Sequence, residues 1–160
     1  MNKHIIGREN LVFIVEDEND NMFGAVIYNR ITNIGDNTDD MAFIFSLKSN
    51  GRLEHPMKFE IKQHEQDCAC VFHEVSQPTL IGLGDGDIIL GKKNWKDLSF
   101  CKQKSFDYKG NEYVLTGKRE EKALFTLKRI QVWQMEPTGA RKLAALFRVL
   151  FQISRDFWQP

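Results

Sequence analysis

The residues able to do chemistry in this 160-residue chain fall into a few short groups. Asp17, Asn19 and Asn21 stand two apart, as at the start of a calcium-binding helix-loop-helix loop. The glycine due next is Met22, and the bidentate glutamate due at the end is Tyr28, so a polar hairpin turn is expected instead. His64, Cys68, Cys70 and His73 fall within ten residues. Zinc ligands must converge on one point. On a strand, Cys68 and Cys70 share one face while His73 turns to the other, so the thiols read as small buried hydrophobes and no metal is expected.

Gly82, Gly84 and Gly86 form a glycine-rich run, but no Gly-Lys-Ser/Thr ending and no helix start follow it. A phosphate loop and a dinucleotide fingerprint are thereby excluded. Asp85 and Asp87 flank Gly86 and read as turn carboxylates bonding to nearby backbone. No Gly-x-Ser-x-Gly elbow occurs. Cys101 is the best candidate for a reactive thiol, with Lys102, Lys104 and Lys96 placed to favour its thiolate, but an ordinary cysteine in a basic loop is the favoured reading. No catalytic residue and no cofactor is expected.

The elements that must position these groups are mostly strands. Asn10–Val15 and Phe23–Tyr28 flank an Asp/Asn-rich turn and predict a hairpin. Gly35–Asp40 reads as a second acidic loop, and Ala42–Leu47 as a strand that ends at the turn Ser49-Asn50-Gly51. Met57–Lys62 alternates as a half-buried strand does, and Cys68–Val75 is a further candidate. The three glycines interrupt the next pair, where tight corners are expected. Lys92–Lys104 reads as a long basic loop containing Trp95. Phe125–Met135 alternates with a parity shift near Arg129, which predicts a bulge. After Glu136-Pro137, Thr138 is placed as an N-cap with Ala140–Phe157 as an amphipathic helix. Its face carries Leu143, Leu146, Phe147, Leu150, Ser154 and Phe157, with Arg141, Arg148 and Arg155 on another.

Composition bounds these readings. At 160 residues and 42% hydrophobic content the chain fits one domain with a real core. No run of apolar residues is long enough to span a membrane, and three cysteines point to a reducing, intracellular setting, cytoplasmic or nuclear. Net charge is zero, yet residues 1–90 hold 7 Lys/Arg against 15 Asp/Glu and residues 91–160 hold 15 against 7. Such asymmetry marks either a nucleic-acid or membrane surface, or strands of both halves interleaving so that charges pair locally. Interleaving is the favoured expectation.

Five segments in order resemble the TLDc family, the domain of oxidation-resistance proteins. They are the acidic hairpin before Phe23-Gly24-Ala25, the strand Phe43-Ile44-Phe45-Ser46-Leu47, and the glycine cluster Gly82, Gly84, Gly86 before Ile88-Ile89-Leu90. Ser99-Phe100-Cys101 with Ser105-Phe106 follows, and Ile130-Gln131-Val132-Trp133 closes the series. The family usually has an acidic residue where Gln131 stands, and a helix with a Tyr-Ser/His-Gly segment before the first strands, of which His4 and Gly7 are the counterparts here. The resemblance implies a mainly β fold: a two-sheet antiparallel sandwich with peripheral helices. That places a TLDc-like sandwich, N-terminally abbreviated, at 1–136 and the amphipathic helix at 137–160, packed on the domain or on a partner.

The resemblance also implies a non-enzymatic protein-interaction domain linked to oxidative-stress resistance and, in several members, to the vacuolar proton-pumping ATPase. The competing expectation is a nucleic-acid-associated regulator. It would use Lys92, Lys93, Lys96, Lys102, Lys104 and Lys109, with Trp95 and Phe100 interleaved for stacking. Leu146, Phe147, Leu150 and Phe157 are the candidate contacts of a partner or of a homodimer through the C-terminal helix.

Overall fold

The computed structural model describes residues 2–92, 98–111, 113–118 and 122–135. The helix expected over 138–157, with Leu146, Phe147, Leu150 and Phe157, lies outside the described residues, as do Lys93, Trp95 and Lys96. A one-turn helix α1 (Asn2–Ile5) opens the chain and sets Ile5 into the core.

Two antiparallel sheets follow. The first holds five strands: β1 (Leu11–Asp17), β2 (Met22–Ile27), β4 (Phe43–Lys48), β5 (Met57–Glu60) and β11 (Leu127–Gln134), in the order β11-β1-β2-β4-β5. The second holds six: β3 (Gly35–Asn37), β6 (Cys70–Phe72), β7 (Thr79–Leu83), β8 (Ile88–Gly91), β9 (Phe100–Cys101) and β10 (Ala123–Leu124), in the order β10-β9-β8-β7-β6-β3. The result is the expected sandwich. Its main core lies between the sheets: Phe13 of β1 meets Phe72 of β6 at 6.4 Å between ring centroids, and Phe23 meets Phe125 edge-on at 5.4 Å.

Alternation explains the strands. In β1, Leu11, Phe13 and Val15 enter the core between the sheets, while Val12 and Ile14 point to the opposite face. That opposite face is apolar too, with Val12, Val26, Phe43, Phe45 and Leu47 buried in a second cluster. A sheet apolar on both faces accounts for the nearly unbroken runs Leu-Val-Phe-Ile-Val and Phe-Ile-Phe, which one-sided burial would not produce.

The hairpin turn is built by Asp17, whose Oδ1 accepts the N–H groups of Asn19 and Asn21, both at 2.9 Å, while Oδ2 accepts Asn21 Nδ2 at 2.7 Å. Arg52 donates to Asn21 Oδ1 at 2.6 Å and to Ser49 Oγ at 3.0 Å, tying this hairpin to the turn after β4. These residues spend their oxygens on the chain itself, as a turn does and a cation loop does not.

Three details depart from the sequence reading. The acidic loop at 35–40 contains β3, which pairs with β6. Cys68 closes a 3-10 helix (Gln63–Cys68), so the strand there is only Cys70–Phe72. The basic loop after β8 contains β9, paired with both β8 and β10. The strands β3 and β9 are too short for periodicity to announce and depend on distant partners. The bulge expected near Arg129 is present: Glu16 faces Arg129 while Asp17 faces Leu127.

The charge asymmetry resolves as interleaving. β11 of the basic half lies against β1 of the acidic half. There Lys128 Nζ stands 2.7 Å from Glu16 and 2.8 Å from Asp20, and Arg129 stands 2.8 Å from Glu16.

Candidate functional site

The glycine hairpin between β7 and β8 places a buried carboxylate, not a phosphate cradle. Gly84 and Gly86 take left-handed backbone, φ +68° and +92°. A Cβ at Gly84 would stand 2.4 Å from Asp87 Oδ2 and 2.8 Å from the Phe106 ring, so only glycine fits. At Gly82 a Cβ would meet the end of the Ile89 side chain at 2.9 Å. Asp87, 0% exposed, accepts the Ser105 N–H at 3.0 and 2.8 Å and the Tyr108 hydroxyl at 2.9 Å. Its partners are thus remote in sequence rather than in its own turn. Burial pushes the Asp87 carboxyl above its ordinary range, and the bonds from Ser105 and Tyr108 oppose the rise. Asp85, by contrast, is exposed and pairs with Lys104, while its N–H donates to Ser105 Oγ at 2.9 Å.

Cys101 sits against this centre and is only 3% exposed. Burial raises its thiol well above the ordinary value, and the nearby charges of Asp87 and Asp17 push the same way. Of the lysines named as candidates to activate it, Lys104 is taken by Asp85, Lys102 lies 5.7 Å from the centre of the Phe100 ring, and Lys96 lies outside the described residues. Cys70 is likewise buried, its thiol pushed up to about 12 by burial and then by the Asp39 charge. Cys68 is half-buried, its thiol raised for the same first reason. Among the described residues no His/Cys/Asp/Glu group has the arrangement of a metal site.

The basic residues separate. Lys92 reaches back to the Val75 carbonyl. Lys102 and Lys122 gather on Phe100, the latter 4.1 Å from its ring centre. Lys62, Lys102, Lys109 and Lys118 line a groove of about 530 Å³ floored by Cys101, Phe106, Tyr108 and Ala123. Three residues on its wall, Gln103, Lys109 and Tyr113, have φ of +55°, +53° and +61°. A left-handed tyrosine is a costly backbone state that its surroundings must hold. Lys62 Nζ donates to the Lys104 carbonyl at 2.6 Å, and Lys118 Nζ donates to the Leu124 carbonyl.

The remaining motif residues divide between the interior and the surface. Phe23 is fully buried in the core. A Cβ on Gly24 would fall 1.8 Å from the Phe13 carbonyl oxygen and 2.8 Å from the Phe45 ring. Ser46 Oγ donates to the Val114 carbonyl at 3.3 Å, and Ser99 Oγ accepts the Gly91 N–H at 3.0 Å. Val132 and Trp133, on edge strand β11, are 37% and 58% exposed. Sequence reasoning missed the Asp87–Tyr108 pair and the groove lysines Lys62 and Lys118. Only the closing of the 105–108 segment onto the glycine hairpin unites them, and no local pattern carries that signal.

No helix among the described residues is long and apolar enough to cross a membrane. No curated protein matches the chain at a significant level. The glycine hairpin joins β7 to β8, Ser99 and Cys101 are buried, and Val132-Trp133 lies within the closing strand β11. The family model for the TLDc domain matches residues 1–136, and the chain belongs to the TLDc domain family.

Proposed function

We propose that this chain is a non-catalytic interaction domain of the oxidation-resistance type, acting inside the cell, with subunits of the vacuolar proton-pumping ATPase as its partner. One observation carries the non-catalytic reading: Cys101, the residue best suited to peroxide chemistry, is buried, and that burial raises its thiol rather than favouring the thiolate. Asp87 is likewise committed to internal bonds, and Gly84 is packed too closely against Asp87 and Phe106 to admit a side chain. The surface retains what binding uses: the lysine groove, Phe100 with its two lysines, and exposed Trp133. The partner is the one the family resemblance implies.

The test is capture of purified proton-pump subunits by the tagged full chain at physiological salt, beside a peroxide-consumption assay. Saturable capture with no peroxide turnover supports the reading. Turnover abolished by Cys101→Ser overturns its non-catalytic half, and absence of capture removes the proposed partner.

A second reading, a nucleic-acid-associated regulator, draws on Lys102 and Lys122 flanking Phe100 beside the lysine groove. Binding to single-stranded nucleic acid that weakens steeply with salt, and is lost in Lys102→Glu/Lys122→Glu, would favour it.

A further inference from the structure

The face of the five-stranded sheet turned away from the core is buried, and the described apolar residues against it all belong to that sheet or its strand ends. Phe45 is 0% exposed, Phe43 and Val26 1% each, and Val12 2%. The described apolar residues packed against them are Ile14, Met22, Tyr28 and Met135, three from β1 and β2 or the end of β2 and one from the residue after β11. Side chains standing on one face of a single sheet cannot exclude water from each other's tips, so a second layer is required.

We propose that residues 138–157 of this same chain supply that layer, as an amphipathic helix laid across β1, β2 and β4. The chain leaves the sheet at the right place. The Met135 N–H donates to the Asn10 carbonyl at 2.8 Å, and the Met135 side chain is already turned into the Val12–Phe43 cluster. In the sequence, Pro137 lacks the N–H that strand pairing needs, and Thr138 is of the type that caps a helix.

The length fits. A helix over residues 140–157 measures roughly 27 Å. Five strands spaced about 4.8 Å apart span about 19 Å between the outer axes, so the helix reaches from β11 beyond β4. The pattern fits as well. Leu146, Phe147 and Leu150 face the sheet when Arg141, Arg148 and Arg155 face solvent. The two-faced apolarity of β1, β2 and β4 and the apolarity of the C-terminal segment are then one feature. Each needs the other to be buried.

Hydrogen exchange of the full chain, followed peptide by peptide by mass spectrometry, tests this. Leu146→Glu/Leu150→Glu is compared with Arg148→Glu at a high and a tenfold lower protein concentration. The expected result is exchange about tenfold faster or more in Met22–Ile27 and Phe43–Lys48 for the leucine pair, with Thr79–Gly91 of the other sheet unchanged and Arg148→Glu silent. If the leucine pair unfolds the whole chain, Leu150→Ala is read instead, and a smaller loss confined to the same two strands is expected. Unchanged protection in both leucine variants overturns the proposal. Protection that falls on dilution of the unaltered chain also overturns it and assigns the face to a second copy.

Discussion

The Tyr108 hydroxyl donates to the Asp87 carboxylate at 2.9 Å with both residues buried, which pins the 105–108 segment to the β7–β8 hairpin. Tyr108→Phe leaves that carboxylate one donor short in an apolar setting. The expected loss is about 1–3 kcal/mol in chemical denaturation, because the cost is that of a buried polar group losing a partner.

The same carboxyl gives a pH signature. Its folded pKa lies above the ordinary 3.8 because burial disfavours the charge. A raised carboxyl keeps a proton in the folded state that the unfolded chain has released. This contribution is therefore full below the unfolded value and is lost as pH rises through the folded one. Thermal melts should show the unaltered chain losing stability relative to Asp87→Asn as pH climbs from about 4. A difference that stays flat or rises with pH contradicts the assignment.

Phe45 lies over Gly24, and a Cβ there would also strike the Phe13 carbonyl. Gly24→Ala must push β1 and β2 apart. The expected destabilisation is about 3 kcal/mol, at the upper end for overpacking, because backbone rather than a flexible side chain is in the way. Gly110→Ala has nothing within 4 Å of its Cβ and tests only the backbone cost of φ +75°. It should lose about 1–2 kcal/mol.

Thiol labelling separates the three cysteines. Cys68 is half-buried, whereas Cys70 and Cys101 are buried with raised thiols. In the native full chain one thiol should react with a disulfide reagent near neutral pH, and the other two only after unfolding. Fast labelling of Cys101 would return it to the reactive candidates.

Tyr28 provides a local optical probe. Burial first, and then the Asp39 charge, push its hydroxyl up to about 12. Asp39 also accepts the N–H groups of Tyr28, Asn29 and Met41. In absorbance titration Asp39→Asn should lower the Tyr28 midpoint and reduce stability together. An unmoved midpoint would remove the Asp39 charge as a cause.

The residues alone determined the strands whose signal is local. The apolar runs Leu11–Val15 and Phe43–Leu47, with turns at Asp17–Asn21 and Asn50-Gly51, form strands where they were read. The ordered motifs from Phe23-Gly24 to Val132-Trp133 were enough to reach the family. The tertiary structure alone decided what depends on the opposite strand. It put β11 beside β1, so that a lopsided charge distribution became local ion pairs. It carried Ser105 and Tyr108 to Asp87 and buried Cys101 on β9, in a segment that reads as a basic loop. The physical reason is the same in each case. Periodicity is written into neighbouring residues, whereas burial and its consequences for a carboxyl or thiol are set by groups that only long-range pairing brings near.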